Sequence, residues 1–286
     1  MSDRDISDVT GYSYTFLMNG QTPAEGWFGL FKKGEKIRLR FINAAAMTFF
    51  DVRIPGLKMK VVASDGQNID PVSIDEFRIG VAETYDVVVE PESDSAYTIF
   101  AQSIDRSGYA RGTLAPHVSM KAFIPEMDPS PILSHADMGM SHSEMSHSDM
   151  NTGATNQKSM GHSGMDHSSM NHAEMSHEKM NHNSMNMPEK QKLDKGKAFM
   201  GSGLLGYGSV EKIVHPQTEF GPHIDMRVDM PQFALDDPGI GLRNHKEKYN
   251  RKVLTYADLK NYKKTPDPRE PSREIQLHLS GNMHRY

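Results

Sequence analysis

The sequence predicts an all-β domain, a sandwich or barrel, in residues 12–124. Short apolar or alternating runs recur there roughly every 8 to 12 residues, which is the strand spacing of such folds. Ile37, Leu39 and Phe41 alternate with two arginines, as in a strand that is buried on one face. Turn signals such as Asn19-Gly20 separate the runs, because these residues tolerate the backbone angles of tight turns.

Each predicted strand is a short run of apolar, aromatic or β-branched residues, which are the types enriched in strands. In chain order the strands are Tyr12–Leu17, Trp27–Phe31, Ile37–Ile42, Phe49–Ile54, Met59–Ala63, Tyr85–Val89, Tyr97–Ala101 and Val118–Ile124. The turn signals are Asn19-Gly20, Lys33-Gly34, Pro55-Gly56, Asp65-Gly66, Pro91 and Ser107-Gly108. Pro125 follows the last run, so the domain is predicted to occupy residues 1–125.

Three further regions are predicted after the β domain. Residues 126–195 form a low-complexity segment, and prolines make residues 196–271 a largely irregular inter-domain region. Within that region, Leu254–Tyr262 is predicted to form one short helix with Thr255 as its N-cap. Residues 272–286 contain an alternating run, which is predicted to be the first strand of a further, truncated domain.

A repeat of histidine and methionine dominates residues 135–187, which hold 11 of the 21 methionines and 8 of the 14 histidines. The unit is His-x-x-Met, repeated with a period of five residues. Thioether sulfur is a soft ligand that suits Cu(I), and imidazole suits both Cu(I) and Cu(II). The predicted metal ligands are His135, Met138, Met140, His142, Met145, His147, Met150, Met160, His162, Met165, His167, Met170, His172, Met175, His177, Met180, His182, Met185 and Met187.

A passive linker and a core helix are the other interpretations of this repeat. A disordered linker is normally poor in large apolar residues, so a methionine at every fifth position is unexpected in one. A step of five residues turns about 140° around a helix, so the methionines would form no apolar stripe. The repeat is therefore interpreted as a disordered copper-binding segment, with a metal-independent spacer as the alternative.

The composition excludes several classes of protein. The net charge of −5 and the sequence pI of about 6.3 give no electrostatic basis for binding nucleic acid. The sequence has no run of 18 or more apolar residues, so no membrane-spanning helix is predicted. The first residues lack the apolar core of a signal peptide, which by itself favours the cytoplasm.

The chain contains no cysteine and no His-x-His motif. Disulfides, thiolate zinc sites, cysteine nucleophiles and blue-copper centres all require cysteine. Paired histidine motifs are typical of multinuclear copper clusters. Outside the repeat, His117, His215, His223 and His245 have no ligand spacing and are interpreted as structural or exposed. No catalytic residue is therefore assigned.

The motifs of the chain resemble those of a known family. Four runs resemble the second cupredoxin-like domain of a multicopper oxidase: Tyr-Thr-Phe-Leu-Met-Asn-Gly at 14–20, Gly-Glu-Lys-Ile-Arg-Leu-Arg-Phe-Ile-Asn at 34–43, Asp-Gly-Gln at 65–67 and Ala-Glu-Thr-Tyr-Asp-Val-Val-Val at 82–89. With the His/Met repeat and the runs at 236–243, 253–259 and 280–286, the chain resembles the central part of the periplasmic copper-resistance multicopper oxidases. This resemblance implies a cupredoxin-like Greek-key β-sandwich in residues 1–125.

The resemblance also implies a function. Such oxidases convert Cu(I) to Cu(II) and pass the electrons to dioxygen, and they act in the periplasm, where other copper-resistance proteins are possible partners. Their His-x-His and His-Cys-His ligands have no counterpart here, so the chain is expected to be a copper-binding fragment that is inactive alone. The alternative is a free-standing periplasmic copper-sequestering protein without oxidase activity.

Overall fold

A computed structural model describes residues 9–133, 137, 215–221, 224 and 235–263, with 269, 272, 275, 277 and 278 near the C-terminus. The chain divides into two compact units, one formed by Met1–Ser141 with Lys197–Tyr286 and the other by His142–Gly196. Every described residue belongs to the first unit. The segment predicted to be disordered, apart from its first residues, lies outside the described residues.

Among the described residues, nine strands form two sheets. They are β1 (Trp27–Leu30), β2 (Ile37–Ile42), β3 (Phe50–Arg53), β4 (Met59–Ser64), β5 (Gln67–Ile74), β6 (Glu76–Ile79), β7 (Thr84–Val89), β8 (Tyr97–Ser103) and β9 (Tyr109–Ala115). One sheet has the order β1-β9-β8-β3-β6, and the other has the order β2-β7-β4-β5. β1 pairs with β9 in parallel, whereas the neighbours of β3, β4, β7 and β8 are antiparallel. The all-β prediction is confirmed.

The core lies between the two sheets and follows from the alternation of side chains along the strands. In β7, Tyr85, Val87 and Val89 are buried and the residues between them are partly exposed. Phe77 of β6 is fully buried and makes an edge contact with Tyr85, at a ring-centroid distance of 5.3 Å. Such edge-to-face pairs stabilise a core by more than the burial of their surface area alone would.

Two predicted strands are absent from the described fold, and three observed strands were not predicted. Tyr12–Leu17 begins in a turn, and Val118–Ile124 forms no sheet ladder. Val118 is 75% exposed, so the apolar character of that run does not report burial. Strand β5 was missed because it is a polar edge strand that contains a proline. Strand β6 was missed because it begins almost directly after β5, with no turn signal between them.

Strand β9 was missed because Gly112 interrupts its apolar pattern. A Cβ atom at Gly112 would lie 2.9 Å from both the sulfur of Met18 and the ring of Trp27. Glycine is therefore required where β1 packs closely against β9. This local packing demand lowers the strand propensity of the sequence without changing the fold.

Residues 235–263 pack onto the sandwich. Leu254 is a member of the buried core cluster, and its backbone N–H donates to the carbonyl of Glu76 at 2.9 Å. The segment also contains a short helix, α1 (His245–Tyr249), in the region where the sequence predicted largely irregular backbone. The helix predicted over Leu254–Tyr262 is instead a 3-10 turn, Tyr256–Asp258, and Thr255 caps it as expected.

The predicted strand near the C-terminus falls mostly outside the described residues. No helix among the described residues is long and apolar enough to cross a membrane.

Candidate functional site

All of the predicted metal ligands, from His135 to Met187, lie outside the described residues. Within the described part of the chain, two other groups of side chains bring histidine and carboxylate together. The buried cluster consists of Glu76, Asp128 and His245, and the half-buried cluster consists of His215, Glu219 and His278.

The buried cluster joins three parts of the chain. Glu76 is in β6, Asp128 follows the sandwich, and His245 begins α1. Nδ1 of His245 lies 2.7 Å from Oε2 of Glu76, and Nε2 of His245 lies 4.0 Å from Oδ2 of Asp128. Each of the three residues is less than a tenth exposed.

Two arginines neutralise the carboxylates of this buried cluster. Arg53 Nη1 donates to Asp128 at 2.6 Å and lies 3.7 Å from Glu76. Arg251 bridges both acids, at 2.6 Å to Asp128 Oδ1 and 3.1 Å to Glu76 Oε2. Together with these two arginines, the carboxylates of the buried cluster form a network of two negative and two positive side chains, as a buried ionic network requires.

The pKa of Asp128 reflects this network. Burial raises the pKa, but hydrogen bonds from Arg251 and Gln102 and the charge of Arg53 outweigh that effect and hold it below the usual range. A metal ion would add two positive charges to a set that is already neutral. We therefore interpret the buried cluster as a structural clamp between the sandwich and α1, which agrees with the structural role predicted for His245.

The half-buried cluster contains two imidazoles and one carboxylate. The 3-10 turn Gln217–Glu219 returns the Glu219 carboxylate to His215, four residues earlier, at 2.6 Å between Oε2 and Nδ1. His278 reaches the same carboxylate from 59 residues further along the chain, at 2.9 Å between Nδ1 and Oε1. Hydrogen bonds to His215 and His278 lower the pKa of Glu219, so the acid is ionised at neutral pH.

Sequence reasoning did not identify this half-buried cluster. His215 and Glu219 have an i, i+4 spacing, which was a weak local signal. His278 lies too far along the chain for any spacing rule to associate it with them. Two imidazoles and one carboxylate form a donor set that suits a divalent transition metal.

A cleft of about 890 Å³ opens beside β2 and is lined mainly by apolar side chains from both sheets and from residues 14–20. Its lining includes Phe16, Trp27 and Phe41 but no histidine or carboxylate. The cleft therefore offers no acid–base pair and no oxygen or nitrogen side-chain ligands of the kind found in the two clusters.

Comparison with known proteins identifies relatives of the chain. Residues 1–118 match the multicopper oxidase family. Copper resistance protein A of Pseudomonas syringae pv. tomato is 59% identical over 287 residues, covering 100% of this chain and 45% of that protein. Copper resistance protein A of Escherichia coli is 50% identical with the same coverage. Among solved structures, the laccase from Botrytis aclada is 27% identical, covers 37% of this chain and 21% of its own, and has a TM-score of 0.33.

The chain spans less than half the length of these copper resistance proteins. The described residues form two β-sheets with few helices, which confirms the all-β sandwich that the sequence predicted. The chain is therefore similar to copper resistance protein A over its whole length, and its first 118 residues match the multicopper oxidase family.

Proposed function

We propose that the chain binds copper ions through its His-x-x-Met repeat and contributes to copper tolerance. The repeat itself is the observation that carries this proposal, because it supplies two kinds of copper donor at fixed spacing over residues 135–187. The names of the relatives, copper resistance proteins from two organisms, support the same function. Cu(I) is the favoured ion of the methionines, and Cu(II) can also bind the histidines.

The donor chemistry of the chain fits copper better than zinc or iron–sulfur clusters. The chain contains 21 methionines and no cysteine, so its soft ligands are thioethers. Thioethers remain neutral and unprotonated, whereas thiolates would hold zinc as well. A spacer interpretation would leave this choice of residue unexplained.

The folded unit supports the repeat as a scaffold in this proposal. Its two parts, Met1–Ser141 and Lys197–Tyr286, lie on either side of residues 142–196, which hold most of the repeat. We further propose a periplasmic location and contact with other copper-resistance proteins there, since the sequence motifs resemble those of the exported family.

The 286-residue chain is expected to show no oxidase turnover. A blue-copper electron entry site requires a cysteine ligand, and the chain has none. After copper loading, oxygen consumption with Cu(I) or a phenolic substrate should match that of free copper at the same concentration. An intense copper–thiolate absorption band, or turnover well above free copper, would contradict this prediction.

Replacing the methionines of the five-residue grid by leucine should remove the Cu(I) binding that survives at about pH 5. These methionines are Met145, Met150, Met160, Met165, Met170, Met175, Met180 and Met185. Imidazole protonates near pH 6.5 and then cannot coordinate, whereas a thioether has no proton to gain in this range. Leucine keeps the bulk and apolarity of methionine and removes the sulfur. The measurement is competition for Cu(I) against a chromogenic chelator at pH 5 and at pH 7.

The matched control replaces His162, His167, His172 and His177 by asparagine. This variant should keep its acid-resistant Cu(I) binding and bind fewer Cu(II) ions at neutral pH than the parent chain does. If the leucine variant binds Cu(I) at pH 5 as tightly as the parent chain, the methionines are not soft-metal ligands and the spacer interpretation stands.

A further inference from the structure

We propose that His215, Glu219 and His278 form a second metal site, specific for a divalent ion and for Cu(II) in particular. The site lies in the folded unit, and it shares no residue with the His-x-x-Met repeat. Its donors are two imidazole nitrogens and a carboxylate. The proposal therefore does not depend on whether the repeat binds copper.

The distances between the donor atoms fit the coordination shell of a small ion. The three contacts from Nδ1 of His215 and Nδ1 of His278 to the Glu219 oxygens measure 2.6, 2.9 and 3.1 Å. An ion with nitrogen and oxygen ligands at about 2.0–2.2 Å separates neighbouring ligands by roughly 3.3 Å in a tetrahedron. Binding would therefore open these contacts by about 0.2 to 0.7 Å.

The imidazole rings are already oriented for coordination. Both histidines direct Nδ1 toward the carboxylate, and their ring centroids lie 5.3 Å apart. A metal ion would replace the two N–H···O hydrogen bonds, and each ring would coordinate through Nδ1 in the tautomer that carries its proton on Nε2. Because the residues already surround one point, little conformational entropy is lost on binding.

The site is accessible to an ion from solution. The exposed fractions of the side chains are 13% for His215, 11% for Glu219 and 22% for His278. Partial exposure lets an ion enter without unfolding and leaves room for water as a further ligand. Sites with three protein ligands and one open position are common for divalent transition metals.

The carboxylate is a hard ligand, so this donor set fits Cu(II) better than Cu(I). Nitrogen and oxygen ligands bind divalent first-row metals with an affinity that rises to a maximum at Cu(II) and falls at Zn(II). A thioether would be needed to prefer Cu(I), and none of the three residues supplies one.

The test uses the full chain with the eight histidines of residues 135–187 replaced by asparagine, so that the repeat contributes no imidazole. With one equivalent of Cu(II) sulfate, this parent variant should give an electron paramagnetic resonance spectrum with coupling to imidazole nitrogen. Adding His278→Gln or His215→Gln should lower the Cu(II) affinity at least about tenfold. Each substitution should also remove one nitrogen from the coupling pattern.

His117→Gln is the matched control, since His117 is exposed and outside both clusters. It should change neither the affinity nor the spectrum. Cu(II) should also raise the urea midpoint of the parent variant, because an ion that binds the folded state stabilises it, and this shift should vanish in His278→Gln. The proposal is overturned if the parent variant binds Cu(II) no tighter than millimolar, or if His215→Gln and His278→Gln bind it as the parent does.

Discussion

Replacing Asp128 by alanine is expected to lower the free energy of unfolding by about 3–5 kcal/mol, because a buried ion pair then loses one partner. Arg53 and Arg251 both donate to this carboxylate at 2.6 Å, and Gln102 donates to it at 2.5 Å. Without the acid, two arginine side chains remain largely buried with too little negative charge. Urea unfolding at pH 7, followed by circular dichroism, measures the loss.

Asp94→Ala is the matched control, because Asp94 is an exposed acid in the loop between β7 and β8. It should change the free energy of unfolding by no more than about 0.5 kcal/mol. If Asp128→Ala destabilises no more than Asp94→Ala, the network contributes no net stability and α1 must be held by its apolar contacts.

The difference between the parent chain and Asp128→Ala should also depend on pH. The pKa of Asp128 in the folded state lies below its ordinary value of 3.8, so the carboxylate binds protons more weakly when the chain is folded. The contribution of the Asp128 carboxylate to the free energy of unfolding is then fully present above pH 3.8, its ordinary pKa, and is lost as the pH falls toward the folded-state pKa. The difference should therefore stay constant from pH 7 to about pH 5 and shrink below about pH 4.

Leu254→Ala is expected to cost about 2–5 kcal/mol, as large-to-small substitutions of buried leucines do. Leu254 comes from the C-terminal part of the first unit, yet it is 6% exposed and belongs to the core cluster between the sheets. The loss should appear as one cooperative transition in urea, because the segment and the sandwich share a core.

Leu30→Ala is the matched control for this prediction. Leu30 lies in edge strand β1 and is 59% exposed, so its truncation should have a much smaller effect. A separate early transition in Leu254→Ala, with the main transition unchanged, would show that residues 235–263 are an independent layer on a self-sufficient sandwich.

The sequence predicted the strands whose burial alternates with a period of two. Strands β2, β4 and β7 carry that pattern, and the structure places each within one residue of the predicted limits. Strands β5 and β9 could not be predicted from this pattern. β5 lies at a sheet edge and carries polar residues, and β9 has a glycine, Gly112, at a tight contact. Strand propensity reports burial on a pleated surface, which β5 largely lacks, whereas β9 is mostly buried and its apolar pattern is broken by Gly112.

The candidate sites also differ in whether the sequence alone could predict them. The repeat is visible in sequence because its period is local and its residues are unusual. The half-buried cluster depends on a contact between Glu219 and His278, which are 59 residues apart. The network around Glu76 and Asp128 depends on contacts between residues more than 120 positions apart. Such constellations follow from the fold and leave no short-range pattern.

Residues 142–196, which hold most of the repeat, connect two parts of one folded unit. The proposed copper capacity can therefore change with the length of this segment. A flexible segment, which the sequence predicts here, adds a closure cost when it joins two points of one folded unit. This cost grows with the logarithm of the segment's length, at roughly 0.6 kcal/mol for each doubling. Adding or deleting one five-residue His-x-x-Met unit would alter this cost by far less than that. Repeat number is therefore almost free to vary in evolution or in engineering, while Met1–Ser141 and Lys197–Tyr286 keep the same fold.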